Sequence, residues 1–308
     1  MAWGNPPNPF VSSEVERPTA EYVPAFLDFA RNERVLVKVS EALSAGAAQL
    51  AGASDTPRLD AELLMAHALA VERDILLLAR LSNSAPADFP ALLARRAARE
   101  PVAYITGRRA FWTIELEVGP GVLVPRPDSE TLIEAAVAHF GNRSPARILD
   151  LGTGPGTLLL AALDQWPEAH GLGIDGSEAA LAYARRNATR LGFATRAELR
   201  LGNWAEGVEG PFDLILCNPP YVEAAAELPC DVRDWEPAEA LFAGADGLED
   251  YRRLAPQIAP LLAPGGIACI ELGADQAAAV SSLFEAQGIR AALHNDLGGH
   301  ARCLSLTH

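Results

Sequence analysis

The chain has 308 residues, of which 49% are hydrophobic, and 40 Asp and Glu against 25 Lys and Arg give it a formal net charge of −15. This length suits one large domain beside a small one, and the hydrophobic content is ample for a packed core. Most of the acidic excess lies in residues 111–308, which hold 13 basic and 27 acidic side chains, against 12 and 13 in residues 1–110. Binding along a nucleic-acid backbone needs a basic surface, so we expect no nucleic-acid partner.

Targeting and metal signals point to a cytoplasmic protein without a metal. No apolar run approaches about eighteen residues, and no basic stretch precedes an apolar one at the N-terminus, so we expect neither a membrane span nor a secretory signal. Cys217, Cys230, Cys269 and Cys303 show no C-x-x-C spacing and are predicted to be buried free thiols, which suits a reducing compartment. The histidines are dispersed without metal-ligand spacing.

The first third of the chain predicts a small helical domain. Residues 1–34 are proline-rich without clear periodicity and are predicted to be a flexible extension, with one helix near 23–31. Residues 35–108 read as a helical bundle, because apolar side chains recur at three- and four-residue steps over 36–50 and again over 59–69, after the helix-start signal Asp55-Thr56-Pro57. Residues 74–80 and 88–99 give two more helical segments.

Residues 109–146 are predicted to form a β-hairpin and a linker helix. Residues 111–118 alternate apolar and polar side chains and predict a strand, paired with a second strand near 122–124 across Gly119-Pro120-Gly121. Asp128 or Ser129 can cap the following helix, which runs to Phe140.

From residue 147 to 308, strands and helices alternate. The predicted strands lie near 147–151, 170–174, 197–201, 212–217, 266–272, 289–294 and 301–306. This alternation predicts an α/β fold with a doubly wound, mostly parallel sheet, and the last two strands, which no helix separates, predict an antiparallel edge. Residues 219–247 form a long irregular segment, and such loops are usually functional.

A glycine-rich turn follows the first of these strands. Gly152-Thr153-Gly154-Pro155-Gly156 lets the backbone approach a ligand closely, but its spacing departs from the dinucleotide fingerprint, and no Lys follows it as in a P-loop. Asp175 ends the next strand, where a carboxylate commonly binds ribose hydroxyls. These features favour an adenosine-bearing cofactor without a pyrophosphate, and S-adenosylmethionine fits best. Asp150 either organises the turn or touches the ligand.

The tetrapeptide Asn218-Pro219-Pro220-Tyr221 stands directly after the apolar run 212–217. In open α/β sheets, ligands bind beyond the carboxyl ends of strands. An amide side chain, two prolines that fix the backbone and an aromatic ring suit the binding of a planar –NH2 group. We therefore expect this segment to carry the acceptor site.

Several segments together resemble the release factor glutamine methyltransferases (PrmC/HemK family). The resemblance covers roughly residues 40–308 and rests on 59–64 (LDAELL), 100–107 (EPVAYITG), 124–127 (VPRP), 149–154 (LDLGTG), 218–221 (NPPY), 236–237 (EP), 244–248 (GADGL) and 271–273 (ELG). The NPPY segment alone is shared with adenine-N6 methyltransferases, but its co-occurrence with EPVAYITG and VPRP is specific.

The resemblance implies a class I S-adenosylmethionine-dependent fold with an N-terminal helical domain that recognises the substrate. It implies methyl transfer to the side-chain amide nitrogen, N5, of the glutamine in the Gly-Gly-Gln motif of class I peptide-chain release factors, with S-adenosylhomocysteine as product. By similarity, Gly152 to Gly156, Asp175, Trp204 and Asn218 line the cofactor site, and Asn218 to Tyr221 bind the glutamine amide.

The chain departs from the family pattern at three positions, and some roles stay open. Asn203 replaces a usual Asp, Ser129 replaces a frequent Thr, and Gly176 stands where an apolar residue is common. Phe111 is either core or a wall of the transfer site, and Arg126 either pairs with an acid or holds the substrate backbone. The alternative functions are glutamine methylation of a ribosomal protein, adenine-N6 methylation of nucleic acid, and a non-catalytic binding protein.

Overall fold

The computed structural model describes residues 37–308. The extension predicted over residues 1–34 and the helix predicted near 23–31 lie outside the described residues. Within the described part, no helix has the length and apolar character needed to cross a membrane.

Five helices open the described chain: α1 Val39–Leu50, α2 Pro57–Ala68, α3 Arg73–Ala79, α4 Phe89–Ala97 and α5 Val102–Thr106. Their apolar faces meet in one core around the fully buried Leu43 and Leu64. Pro57 is the first residue of α2, as the start signal predicted, because its fixed φ suits the first helical turn, where an N–H has no partner. The short α5 was missed, since five residues are too few to show a helical period.

A hairpin follows, but not where the sequence predicted it. Strands β1 (Arg108–Phe111) and β2 (Ile114–Glu117) pair antiparallel across a tight turn in which Trp112 has φ +54°. The predicted strand near 122–124 is wrong, because the Val122 N–H donates to the nearby Gly119 carbonyl and two other backbone groups bind side chains. The Tyr104 hydroxyl donates to the Val122 carbonyl, and the Val124 N–H donates to a carboxylate, that of Glu236.

The prediction of a seven-stranded, mostly parallel sheet is confirmed. Its strands are β3 Arg147–Leu151, β4 His170–Asp175, β5 Ala197–Leu201, β6 Phe212–Cys217, β7 Leu262–Glu271, β8 Arg290–Asn295 and β9 Ala301–Thr307. The strand order is β5-β4-β3-β6-β7-β9-β8, and β9 is antiparallel to both of its neighbours. The remaining helices are α6 Glu130–Phe140, α7 Thr157–Gln165, α8 Glu178–Arg190, α9 Cys230–Arg233, α10 Glu249–Ile258 and α11 Ala277–Glu285.

Both faces of the sheet are covered by helices. Successive strand residues point to opposite faces, so in β3 Ile148 packs with α6, α7 and α8, whereas Leu149 packs with α10 and α11. This two-sided burial explains why the central strands appear in the sequence as continuous apolar runs. Cys217, Cys269 and Cys303 are buried, as predicted for free thiols, but Cys230 is exposed at the start of α9.

The sheet has its topological switch point between β3 and β6. From β3 the chain builds outward through β4 to β5 on one side, and then returns to add β6 and β7 on the other. In open α/β sheets, the crevice beyond the carboxyl ends of such a strand pair is where ligands bind. Leu151 and Cys217 are register partners at these carboxyl ends, so the residues that follow them are expected to line the ligand site.

Candidate functional site

The two motifs singled out in the sequence meet at this switch point. Gly152 follows β3 and Asn218 follows β6, and both line a cleft with a volume of about 670 Å³. Of the predicted site residues, the cleft is lined by Gly152, Gly154, Asp175, Trp204, Asn218 and Pro220. A small adjoining pocket of about 50 Å³ adds Thr153 and Pro155 and shares Asn218 with the cleft. Gly156, Pro219 and Tyr221 line neither cavity.

The glycine turn places backbone against the cleft. Gly152 has φ +74°, and a Cβ atom there would lie 3.3 Å from the ring of Trp204, so only glycine leaves this approach open. Gly156 acts differently. It has φ +90° at the start of α7, and a Cβ atom would lie 2.7 Å from Leu160, which makes it a packing position.

Asp175 holds the turn while facing the cleft. Its Oδ2 accepts a hydrogen bond from the Gly154 N–H at 2.7 Å, and its Oδ1 accepts one from the Ser177 N–H at 2.8 Å. Burial raises the pKa of Asp175, although both backbone N–H groups favour its charged form. A carboxylate oxygen accepts more than one hydrogen bond, so this arrangement leaves capacity for a ligand hydroxyl.

Trp204 forms a flat apolar wall of the cleft. Its φ of +52° is unusual for a residue with a Cβ atom, and its Nε1–H donates to Asp250 Oδ1 at 3.2 Å. Asp250 was not singled out in the sequence; it also lines the cleft, and burial raises its pKa. The neighbouring Asn203 is exposed at the rim, where its Nδ2 donates to Glu206 Oε1 at 2.6 Å.

Asn218 presents an unused acceptor. Its Nδ2 donates to Ser129 Oγ at 3.3 Å, whereas its Oδ1 accepts no hydrogen bond from residues 37–308. Ser129 immediately precedes α6 but does not cap it with its side chain, contrary to the prediction that Asp128 or Ser129 acts as the cap. Pro219 is buried beside Asn218.

Tyr221 is fixed at both ends. Its hydroxyl donates to Glu271 Oε1 at 3.4 Å, and its backbone carbonyl accepts from Gln276 Nε2 at 3.0 Å. Burial, together with the negative charge of Glu271, raises the pKa of the Tyr221 hydroxyl to about 12. The phenol therefore stays protonated at neutral pH and cannot serve as a base.

Asp150 organises the glycine turn with one carboxylate oxygen. Its Oδ2 accepts from Thr153 Oγ1 at 2.6 Å and from the Leu159 N–H at 3.1 Å. Its Oδ1 is buried and has no hydrogen-bond partner among the described residues, and Asp150 lines the small pocket. Burial raises the pKa of this carboxyl to about 7. Buried polar atoms normally have partners, so this oxygen is a candidate ligand contact.

The structure resolves two roles that the sequence left open. Arg126 pairs with an acid: its Nη2 lies 2.6 Å from Glu236 Oε1. The other oxygen of Glu236 accepts the Val124 N–H at 3.1 Å, so one buried carboxylate joins the VPRP segment to the loop after β6. Phe111 is 1% exposed and belongs to the core under the hairpin, lining neither cavity.

A separate depression of about 500 Å³ lies at the opposite, amino ends of β3, β4, β5 and β6. Basic and acidic side chains line it, and two of its arginines donate their N–H groups to backbone carbonyls. Arg196 donates to Leu163 and Ala169 near the end of α7, and Arg147 donates to Pro211. These arginines satisfy backbone carbonyls at the ends of helices and strands, so their N–H groups are not free for a ligand. In residues 37–308, no cluster of His, Cys, Asp or Glu has the arrangement of a metal site.

Comparison with known proteins agrees with this geometry. Residues 41–107 match the family model described as the PrmC N-terminal domain, and residues 142–298 match a methyltransferase domain. A release factor glutamine methyltransferase of Rhodospirillum rubrum is 46% identical over 81% of this chain and 78% of its own length. Its counterpart in Cereibacter sphaeroides is 45% identical over 87% of this chain and 98% of its own length. The chain belongs to the release factor glutamine methyltransferase family.

The fold of this chain also resembles a solved catalytic domain, that of hMettl16 in complex with a 3'UTR hairpin. The TM-score is 0.51 at 17% identity, over 70% of this chain and 81% of that one. This similarity concerns the class I methyltransferase fold alone.

Sequence reasoning assigned no site role to four polar residues around the cleft, namely Ser129, Glu236, Asp250 and Glu271, although Ser129 was noted as a cap candidate and as a departure from the family's usual Thr. Two of them had a signal, because the EP and ELG segments, which hold Glu236 and Glu271, carried part of the resemblance without an assigned role. Asp250 had none, since it is an ordinary acid in the first turn of α10.

Proposed function

We propose that this protein transfers a methyl group from S-adenosylmethionine to the side-chain amide nitrogen of the glutamine in the Gly-Gly-Gln motif of class I release factors. The observation that carries the proposal is the free Oδ1 acceptor of Asn218, which lines the cleft beside the glycine turn at the sheet's switch point. The names of the relatives support the choice of substrate. Translation termination places this activity in the cytoplasm.

The cleft residues suit the cofactor. Trp204 offers an aromatic face for an adenine ring, Asp175 a carboxylate for ribose hydroxyls, and the glycine turn a close backbone approach. The orphaned Asp150 Oδ1 is an acceptor for a cationic group, such as the amino group of the methionine part. When bound, S-adenosylmethionine supplies an electrophilic methyl group on a sulfonium and leaves as the uncharged thioether S-adenosylhomocysteine.

The acceptor side must overcome the low reactivity of an amide nitrogen. Its lone pair is delocalised into the carbonyl, and complete loss of that resonance costs about as much as the ~18–20 kcal/mol rotation barrier. Asn218 Oδ1 and the Pro219 carbonyl oxygen can accept the two amide N–H groups and so fix the direction of the lone pair. Both acceptors bind more strongly as positive charge develops on the nitrogen, which is stabilisation specific to the transition state.

Tyr221 offers a π-face to the same amide, and we call the Asn218 side chain, the Pro219 carbonyl and the Tyr221 ring the clamp. An aromatic ring beside developing positive charge contributes about 0.5–2 kcal/mol. Because its hydroxyl is bound to Glu271, the ring has a fixed plane.

The new N–C bond forms as the S–C bond breaks, and the nitrogen then loses one proton to water, since a protonated N-alkyl amide is strongly acidic. Positioning supplies most of the remaining effect, with effective molarities worth roughly 7–11 kcal/mol.

We further propose that the helical region 35–108 recognises the release factor, with 109–146 as its connection to the catalytic domain at 147–308. The support is a contact between the helical bundle and the loop that follows β6. Arg96 in α4 is buried, pairs with Asp60 at 2.7 Å, and reaches Asp231 of α9 at 3.5 Å. Because α9 belongs to the loop that follows the clamp, a partner bound to the bundle lies next to the site.

The test is methyl transfer from labelled S-adenosylmethionine to a purified, unmethylated class I release factor, with mass mapping of the product. We expect a single methyl on the Gly-Gly-Gln glutamine, and no transfer to a release factor in which that glutamine is replaced by alanine. Methyl transfer to a ribosomal protein or to adenine in nucleic acid, with none to the release factor, would refute the proposal in favour of the alternatives.

A further inference from the structure

Glu271 is a buried carboxyl group directly behind the clamp. It ends β7, which pairs with β6, and it is 1% exposed. Its Oε1 accepts from the Tyr221 hydroxyl at 3.4 Å, and its Oε2 has no partner in full hydrogen-bond geometry among the described residues. Ser129, which is 2% exposed, lies near enough for its hydroxyl to favour the charged form of the carboxyl, lowering the pKa of Glu271. Asn218 in turn donates to Ser129.

We propose that Glu271 is a positioning residue that fixes both side chains of the clamp, holding Tyr221 directly and Asn218 through the Ser129 hydroxyl. This inference rests on the proposed function, in which Asn218 accepts an amide N–H of the substrate. Glu271 itself is 1% exposed and lies behind Tyr221, so it acts through the other residues.

A count of hydrogens explains how the carboxylate sets the direction of the Asn218 amide. A charged carboxylate only accepts hydrogen bonds, so Tyr221 donates to Glu271 Oε1, and in the proposed arrangement the Ser129 hydroxyl donates toward the unpartnered Oε2. Once the single hydrogen of Ser129 is committed, its oxygen can only accept, and the Nδ2 end of Asn218 must face it. The Oδ1 end is then turned toward the cleft. Without the carboxylate, Ser129 could donate to Oδ1, and the amide could turn its N–H groups toward the substrate.

The surroundings of Glu271 hold it near the point of ionisation. Burial raises its pKa to about 7, against the hydroxyl groups of Ser129 and Tyr221 and the positive charge of Arg302 on β9, which favour the charged form. The negative charge of Asp128 raises the pKa further. The Tyr251 hydroxyl on α10 binds the backbone carbonyl of Glu271, at 2.9 Å, and Cys303 of β9 is its register partner. The charged form, which orders the clamp, therefore predominates above neutral pH.

A measurement that needs no protein substrate tests whether Glu271 orients Asn218 through Ser129. The side-chain NH2 signals of Asn218 in a ¹⁵N-labelled sample are identified by their loss in Asn218→Ala. We expect these signals to shift with pH around about 7, to lose that pH dependence in Glu271→Gln, and to move in Ser129→Ala but little in Ser129→Thr, which keeps the hydroxyl. Ser305→Ala is the matched control, because Ser305 is a buried serine whose hydroxyl binds Ala292 on the neighbouring strand β8.

Transfer kinetics give a second readout. Loss of one oriented hydrogen bond predicts a decrease of about tenfold in kcat for Ser129→Ala and for Glu271→Gln, with the affinity for S-adenosylhomocysteine unchanged. In the Asn218→Ala background, Ser129→Ala should slow the reaction less than about twofold, since its effect runs through Asn218. Equal effects of Ser129→Ala in both backgrounds would contradict the proposal.

The two readouts separate the two proposals. If the Asn218 NH2 signals are the same in wild type, Ser129→Ala and Glu271→Gln, the positioning role is refuted, whether or not a release factor is methylated. If the Asn218 signals respond as expected but the wild-type protein methylates no release factor, the positioning role of Glu271 stands and the proposed substrate is refuted.

Discussion

Arg126 and Glu236, which are 110 residues apart in sequence, hold two walls of the cleft together through a contact of 2.6 Å. The buried Glu236 carboxylate also accepts the Val124 N–H. The VPRP and EP segments, which carried part of the family resemblance but had no assigned chemical role, are thus the two sides of one structural joint.

Loss of this joint should destabilise the protein. Removing one partner of a buried ion pair costs about 3–5 kcal/mol, and the partly exposed Arg126 reduces that for Glu236→Ala to about 2–3 kcal/mol. Glu236→Gln, which can still accept from Val124, should lose less. The measurement is the free energy of unfolding in urea, with Glu227→Ala on the exposed part of the same loop as control. Equal stability of Glu236→Ala and the control would contradict this role.

Trp204 should contribute mainly to cofactor affinity. Stacking of a base on an aromatic side chain is worth about 1–3 kcal/mol, so Trp204→Ala should weaken S-adenosylhomocysteine binding by roughly 10- to 100-fold in calorimetry. Trp204→Phe keeps a ring but loses the hydrogen bond to Asp250, and should lie between the two. Unchanged affinity in Trp204→Ala would show that this wall does not meet the adenine.

Asp175 and Ser177 offer a matched comparison of ligand binding with helix capping. The Ser177 hydroxyl caps α8 by accepting the Ala180 N–H at 3.2 Å, so Ser177→Ala should cost about 1 kcal/mol of stability and leave cofactor affinity intact. Asp175→Ala should weaken S-adenosylhomocysteine binding by about 10- to 100-fold, because hydrogen bonds to charged groups are worth about 1.5–3 kcal/mol. A similar loss of affinity in both variants would instead assign Asp175 to the loop alone.

The raised pKa of Glu271 predicts an unusual dependence of stability on pH. Its pKa of about 7 in the folded protein exceeds the 4.5 of the unfolded chain, so the folded state binds the extra proton and stability falls as pH rises from about 4.5 to about 7. Glu271→Gln removes this term. The variant should melt at a higher temperature than wild type at pH 8, because its free energy of unfolding should be higher by about 3 kcal/mol or less, and this advantage should shrink toward pH 5.

The same substitution is expected to slow transfer, so stability and activity should change in opposite directions at pH 8. Thermal unfolding of both proteins across pH 5–8 provides the measurement. A melting-temperature difference that does not vary with pH would mean that Glu271 titrates normally.

The central sheet was predictable because its signals are local. Strands such as Phe212–Cys217 are apolar runs buried on both faces, and the glycines and prolines that end them stand next to them in the chain. The hairpin was misplaced because alternation over 111–118 does not reveal the turn at Trp112, which adopts a positive φ. Nor does it show that Val122 and Val124 bind side chains from distant elements.

The candidate site was predictable only in part, for the same reason. Gly152 and Asn218 follow strands and Asp175 ends one, so their placement at one edge of the sheet can be anticipated. The groups that orient them lie far away in sequence: Ser129 is 89 residues from Asn218, and Glu271 is 50 residues from Tyr221. Such contacts leave no periodic pattern, and only the folded chain brings them together.

The most direct test of the account compares Asn218→Ala with wild type in a single turnover on an unmethylated class I release factor, alongside cofactor binding. The account predicts that transfer falls by about 10²–10³, as when one preorganised transition-state contact is removed, while the dissociation constant for S-adenosylhomocysteine stays within about threefold. A transfer rate close to that of wild type would contradict the central claim that the Asn218 amide oxygen activates and orients the substrate nitrogen.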